Sequence, residues 1–168
     1  MRMAKATLSF MAAALLAASS TLALAQTCNS NMPLSKPDSR YTYNAAGDEV
    51  TDSVTRLTWK RCAEGMGWSE GTCTGTPNEY TWEAAVSHAA TQTGWHLPSI
   101  KELKSLIELA CYGMGINQTA FPETPHLVWS ASTVAAGTEL VWFVNFGLGD
   151  DDYSKKDSKA SVRLVRSQ

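Results

Sequence analysis

The chain reads as an α+β protein of mainly antiparallel strands, with two mid-chain helices and long loops tied by disulfides. Three observations carry this. Segments with period-two alternation lie before and after a middle region in which apolar residues recur at helical spacing. All four cysteines lie outside the apolar N-terminal stretch, which suits paired bridges in an exported chain. The stretch Gly94–Leu106 (GWHLPSIKELKSL) joins a strand, a rigid turn and an amphipathic helix.

The N-terminus reads as a signal peptide over residues 1–25. Arg2 and Lys5 form the charged region, Leu8–Ala18 is almost wholly apolar, and Ala23-Leu24-Ala25 supplies the small-residue cleavage pattern. The apolar run is short and is broken by Ser19, Ser20 and Thr21, unlike a membrane anchor. Cleavage after Ala25 leaves Gln26–Gln168, 143 of the 168 residues, enough for one core. Residues 26–39 are expected to be an N-terminal arm and residues 40–168 the domain. Without Arg2 and Lys5, 12 basic residues face 16 acidic ones, so the net charge moves from −2 to −4. Such a chain is a poor default partner for nucleic acid or sulfated polysaccharide. No later apolar stretch is long enough to cross a membrane, and the export is periplasmic or secretory.

Four cysteines allow three pairings. Cys62 and Cys73 flank a Gly-rich loop and are expected to close it, which leaves Cys28 to pin the arm to the helix end at Cys111. A metal or redox site is the rival reading, but there is no C-x-x-C and no histidine close in sequence to a cysteine.

In chain order, Arg40–Asn44 has strand character, Asn44–Asp48 is a turn, and Glu49–Thr51 returns antiparallel. Leu57–Arg61 alternates Leu57 and Trp59 with Thr58 and Lys60, the mark of a half-buried strand. Gly65–Asn78 is a loop by its glycines and Pro77. Thr81 caps a helix over Trp82–Thr91, with Trp82, Ala85, Val86 and Ala89 inward. Trp95 and Leu97 share one strand face, Pro98 fixes the turn, and Ser99 with Glu102 forms a capping box. Ile100, Leu103, Leu106, Ile107 and Ala110 then extend a helical stripe to about Cys111, with Glu108 on the wetter face. Gly113–Pro125 is irregular and holds the sequon Asn117-Gln118-Thr119. Leu127–Ser130 is a short strand. Leu140–Phe146, apolar on both faces until Asn145, is expected at a sheet centre. Gly147–Lys156 reads as a loop. Ser161–Val165 closes the chain as a strand that pairs with an early one.

Taken in order, VTDSVTRLTWKRC (Val50–Cys62), W-x-x-A (Trp82–Ala85), GWHLPSIKEL, FPETP (Phe121–Pro125), VWSAS (Val128–Ser132), VWFVNFGLG (Val141–Gly149) and VRLVR (Val162–Arg166) resemble the bacterial Lcl C-terminal-domain family. The resemblance covers about Tyr41–Arg166. It implies a C-type-lectin-like fold and an exported, non-catalytic module that recognises a glycan or a cell-surface protein, as in an adhesin. It extends no further than the family, whose named member binds sulfated glycans. His96 stands where the family usually has arginine, and the calcium-positioning tripeptides of sugar-binding C-type lectins are absent. A structural or interaction domain of the envelope is the alternative.

The candidate sites follow from residue chemistry. Asn145 with Asp150, Asp151 and Asp152 offers oxygen ligands to a hard cation such as calcium, the one cofactor the chain suggests, although solvated turn residues are the plainer reading. Trp59, Trp95, Trp129 and Trp142 are expected in the core. Trp68, in the Gly-rich loop, and Tyr153 are the aromatics expected to meet a ligand. Lys155 and Lys156, with Lys159, Arg163 and Arg166, form the one basic set, and a solvated edge strand is its simpler reading. Trp95, Leu97, Pro98, Ser99, Glu102 and Leu103 form a structural motif. His88, His96 and His126 have no nearby nucleophile or metal-ligand spacing. Enzymes that convert a cysteine to formylglycine share the lectin-like architecture, but pairing all four cysteines leaves no reactive thiol. No enzyme is indicated, and the oligomeric state is open.

Overall fold

In the computed structural model, residues 26–135 and 137–167 are described. The signal peptide expected over residues 1–25 lies outside them. The elements are β1 (Thr27–Cys28), β2 (Tyr41–Tyr43), β3 (Glu49–Asp52), β4 (Leu57–Lys60), β5 (Gly67–Ser69), β6 (Thr72–Thr74), α1 (Trp82–Ala90), α2 (Ile100–Lys104), β7 (Cys111–Tyr112), β8 (Leu127–Thr133), β9 (Leu140–Asn145), β10 (Asp150–Lys155) and β11 (Val165–Ser167). A four-stranded antiparallel sheet runs β11-β4-β3-β2, and a three-stranded one runs β10-β9-β8. The last strand therefore pairs with an early one, as expected of the α+β reading.

Period-two alternation divides the four-stranded sheet into two faces. Val50, Trp59 and Val165 are register partners, and all three are buried against Phe121, Leu103 and Phe146. Glu49 and Lys60 are partners on the opposite face, as are Thr51 and Thr58, with Arg166 opposite Thr58. That polar face is where the candidate site lies. The central strand β9 is apolar on both sides because it serves two cores. Val144 joins the cluster around Trp59, and Val141, with Phe143 beside it, joins a second cluster around Trp129, Leu97 and Leu164.

The capping box at Ser99 forms as its spacing predicts: Ser99 Oγ accepts from the Glu102 amide, and the Ser99 amide donates to Glu102 Oε2. The helix is much shorter than its apolar stripe. It stops at Lys104, where the Ser105 hydroxyl donates to the Glu102 carbonyl at 2.6 Å, and the chain leaves through tight turns. Leu106, Ile107 and Ala110 are still buried, but they are delivered by a turn, which apolar spacing alone does not distinguish from a helix. Glu108 is not on a wet face. It is buried, and it accepts hydrogen bonds from the Ser35 amide and hydroxyl, the Lys36 amide and the Ala110 amide. In α1, Thr81 is the cap as expected and Ala85 and Ala89 are buried, whereas Val86 is exposed.

Both bridges form with the expected partners, Cys28–Cys111 and Cys62–Cys73. The first fastens the arm, in which β1 pairs with β7. The second fastens β5 and β6, a hairpin inside the stretch expected to be a loop. Its Glu70-Gly71 turn has positive φ at both residues, the geometry that matches the twist of a two-residue hairpin. Asn117 of the sequon is buried, with its amide donating to the Lys36 carbonyl and to Asp38. No helix among the described residues is long and apolar enough to cross a membrane.

Candidate functional site

A cleft of about 260 Å³ opens on the polar face of the four-stranded sheet, lined by Asp48, Glu49, Lys60, Glu64, Trp68 and Trp95 together with the turn Cys62–Met66. Its floor follows from β-alternation, which puts Glu49 and Lys60 side by side. One wall is the β5–β6 hairpin, held to the end of β4 by Cys62–Cys73, and it delivers Trp68. The other wall is Trp95, ahead of the buried Leu97-Pro98 turn.

Trp68 is held rather than free. The Arg61 guanidinium lies 3.8 Å from its ring centre and 4.4 Å from that of Tyr43. Arg61 is itself buried, and it donates to the carbonyls of Ala120, Gly47 and Thr119. Burial pushes its guanidinium below the ordinary value, with Tyr43 opposing. Gly47, at φ +79°, lies against the indole edge, where a Cβ would come within 3.1 Å of the Trp68 ring nitrogen. Trp95 is half-buried, with Lys60 Nζ 5.6 Å and Arg166 Cζ 4.6 Å from its ring centre.

The charged groups of the cleft are engaged, with one another or with residues beside it. Glu64 holds Lys60 at 2.9 Å and His88 Nε2 at 2.6 Å, and the His88 ring stacks on Tyr80 at 5.0 Å. Glu49 holds Arg166 at 2.6 Å, and Asp48 accepts from the Asn44 amide at 2.7 Å. The His88–Glu64 pair was not visible in the sequence, because its members lie 24 residues apart on different elements.

Residues 48–166 match the Lcl C-terminal domain. The chain belongs to that family. Neither a protein of curated function nor a solved structure matches the chain. The match spans every residue that lines the cleft, from Asp48 to Trp95, and Arg166 beyond it.

The other expected site residues are placed elsewhere. Asp150, Asp151 and Asp152 do not share a loop: they begin β10, whose alternation sends Asp151 to the face opposite its two neighbours. Asp151 pairs with Lys104, and Asp152 accepts from the Tyr153 amide. Asn145 is the register partner of Asp150, and its side chain accepts from the Leu148 amide within the β9–β10 turn. Among the described residues no group of three or more histidine, cysteine, aspartate or glutamate side chains converges for a metal ion. Tyr153 is 50% exposed, edge-on to the half-buried Trp142 at 5.7 Å, and it does not line the cleft. Lys155 and Lys156 line a separate hollow of about 410 Å³ with Glu83, Glu139 and Asp157.

The basic set does not gather. Lys156 lies over Trp82, Arg166 is paired with Glu49, and Arg163 is fully buried. Ser161–Val165 is not the regular closing strand that its sequence suggests. Instead residues 160–165 are all buried, because the segment threads between the two cores before β11 begins at Val165. Arg163 finds its partners inside: the carbonyls of Lys60 and Arg61 and the Thr124 hydroxyl. Burial pushes its guanidinium down to about 9, and the Arg61 charge adds to this. Of the four tryptophans expected in the core, Trp59 and Trp129 are buried, whereas Trp95 and Trp142 keep an exposed edge.

Proposed function

We propose that the protein is an exported, non-catalytic recognition module of C-type-lectin-like fold that binds a glycan in the cleft between Trp68 and Trp95. The observation that carries the reading is the pairing of two indoles with the carboxylates of Asp48, Glu49 and Glu64 in one open cleft. Indole faces pack against the C–H faces of pyranose rings, and carboxylates accept strong hydrogen bonds from sugar hydroxyls. Export is supported by the two bridges, which persist in oxidising compartments. The non-catalytic reading draws on the state of the His88–Glu64 pair beside the cleft: His88 stacks on Tyr80, and its Glu64 partner is shared with Lys60.

The test is a glycan array with the chain from Gln26 onward, followed by calorimetric titration of the glycans retained. Trp95→Ala and Trp68→Ala are each expected to weaken binding by at least tenfold, since stacking on one aromatic contributes about 1.4 kcal/mol or more. Binding that is unchanged in both variants would place the ligand elsewhere.

A second reading rests on Met32, Leu34, Leu109 and Tyr112, which are exposed on the two segments joined by Cys28–Cys111. It is an envelope interaction domain that uses this apolar surface. Cross-linking in intact cells with a photoreactive group at position 109 separates it from the glycan reading.

A further inference from the structure

The cleft does not end at Glu49. The same sheet face continues into a groove of about 350 Å³ lined by Thr42, Tyr43, Asn44, Glu49, Thr51, Thr58 and Arg166. Glu49 belongs to both spaces, and its ion pair with Arg166 stands where they meet. The groove floor is a hydroxyl ladder fixed by strand register. Thr42 is opposite Thr51, and Thr51 is opposite Thr58. Thr51 Oγ1 and Thr58 Oγ1 lie 2.9 Å apart. Hydroxyls that both donate and accept offer a second place for a polyhydroxylated unit.

We propose that this groove is a second subsite and that the ligand is a linear, uncharged oligosaccharide lying across the Glu49–Arg166 pair. The inference rests on the reading of the Trp68–Trp95 cleft as a glycan site. Charge selects the uncharged class. The cleft carries three carboxylates, with Lys60 inside and Arg166 at the edge, so its lining is net negative and repels sulfate or uronate groups. An anionic sugar would also have to draw Lys60 from Glu64 or Arg166 from Glu49. Sugar hydroxyls need neither. Each paired carboxylate keeps unused acceptor sites, and a neutral hydroxyl donates to them without breaking an ion pair.

The experiment is titration of the chain from Gln26 onward with disaccharides and hexasaccharides of neutral glucans, mannans and galactans, with dextran sulfate in parallel. The expected result is that a neutral hexasaccharide binds at least tenfold more tightly than its disaccharide, with little change between low and high salt. The double variant Thr51→Val/Thr58→Val removes two of the three hydroxyls of the ladder, the pair that bond each other, and keeps side-chain shape. It is expected to bring the hexasaccharide to disaccharide affinity, leave the disaccharide unchanged and retain the melting temperature. Equal affinities for the two lengths in the unmodified protein would overturn the second subsite. Tighter, salt-sensitive binding of dextran sulfate that Trp95→Ala abolishes would overturn the uncharged class and keep the cleft. If no chain binds, or if binding ignores both tryptophans, the cleft reading and this inference fail together.

Discussion

Glu108 is the residue whose role the fold changes most, and its replacement by glutamine measures that role. The carboxylate receives four hydrogen bonds from the arm and the turn after α2: the Ser35 amide and hydroxyl at 2.9 Å each, the Lys36 amide at 2.6 Å and the Ala110 amide at 2.8 Å. In Glu108→Gln one oxygen becomes an amino group. If the remaining oxygen keeps the Ser35 and Ala110 donors, the amino group faces the Lys36 amide, donor against donor. One charge-assisted bond is lost outright and the others fall to neutral strength. Bonds to charged groups contribute about 1.5–3 kcal/mol and neutral ones about 0.5–1.5 kcal/mol. With relaxation of the arm, a net cost of about 3 kcal/mol follows. For a domain of this size the melting temperature should then fall by about 6–12 °C, read by circular dichroism with both bridges intact.

The pH dependence supplies a second check on the same residue. Burial pushes the Glu108 carboxyl up, but the amides of Ala110, Ser35 and Lys36 and the Ser35 hydroxyl outweigh it, leaving it below the ordinary 4.5. An acid whose folded pKa is depressed contributes its stability above the unfolded value and loses it as pH falls through the folded one. The gap between the parent protein and Glu108→Gln should therefore be full near neutrality and shrink below about pH 4.5. A variant that melts within a degree or two of the parent at neutral pH would refute the account of Glu108 as the polar anchor of the arm.

Other perturbations follow from the same contacts. Removing Cys28–Cys111, which closes a span of 83 residues, should cost about 4.5 kcal/mol, and removing Cys62–Cys73, which closes 11, about 3 kcal/mol. Chemical denaturation of the two double-serine variants ranks them, and the reverse order would contradict the loop-entropy account. Arg61→Met should cost about 3 kcal/mol by orphaning three carbonyls, and it should expose Trp68, seen as stronger acrylamide quenching of tryptophan emission. Gly115→Ala places a Cβ 2.7 Å from the Gly149 Cα, so it should cost about 1–3 kcal/mol in thermal unfolding, and an unchanged melting temperature would show that the two backbones can part.

Much of the fold was legible in the sequence because it depends on local pattern. Alternation in Leu57–Lys60 marked a strand with Trp59 inward, and the Ser99-x-x-Glu102 spacing marked a helix start. The double-sided apolarity of Leu140–Phe146 marked a strand that serves two cores. The bridges followed from the oxidising context and from a Gly-rich loop flanked by Cys62 and Cys73. The motif order from Val50 to Arg166 identified the family, and the Gly-rich setting of Trp68 marks an aromatic that the structure places on the wall of the cleft.

Other features were decided only by tertiary structure, because they depend on side chains meeting across long separations. The stripe Leu103–Ala110 looks the same to a helix and to a turn, and only the arm, arriving with Ser35 and Lys36, makes a buried Glu108 tolerable and lets the chain turn after Lys104. Asp150–Asp152 reads as a solvated loop by composition and becomes a strand because β9 supplies a partner edge. Arg163 reads as a surface charge and is buried because the carbonyls of Lys60 and Arg61, 102 or more residues away, accept from it. The cleft belongs to this second class. Trp68, Trp95, Glu49 and Lys60 are ordinary residues in sequence, and they become one site when strand register, a bridged hairpin and the Trp95 turn bring them together. Local physics wrote the elements, and long-range packing chose which polar groups are buried, paired or left lining the cleft.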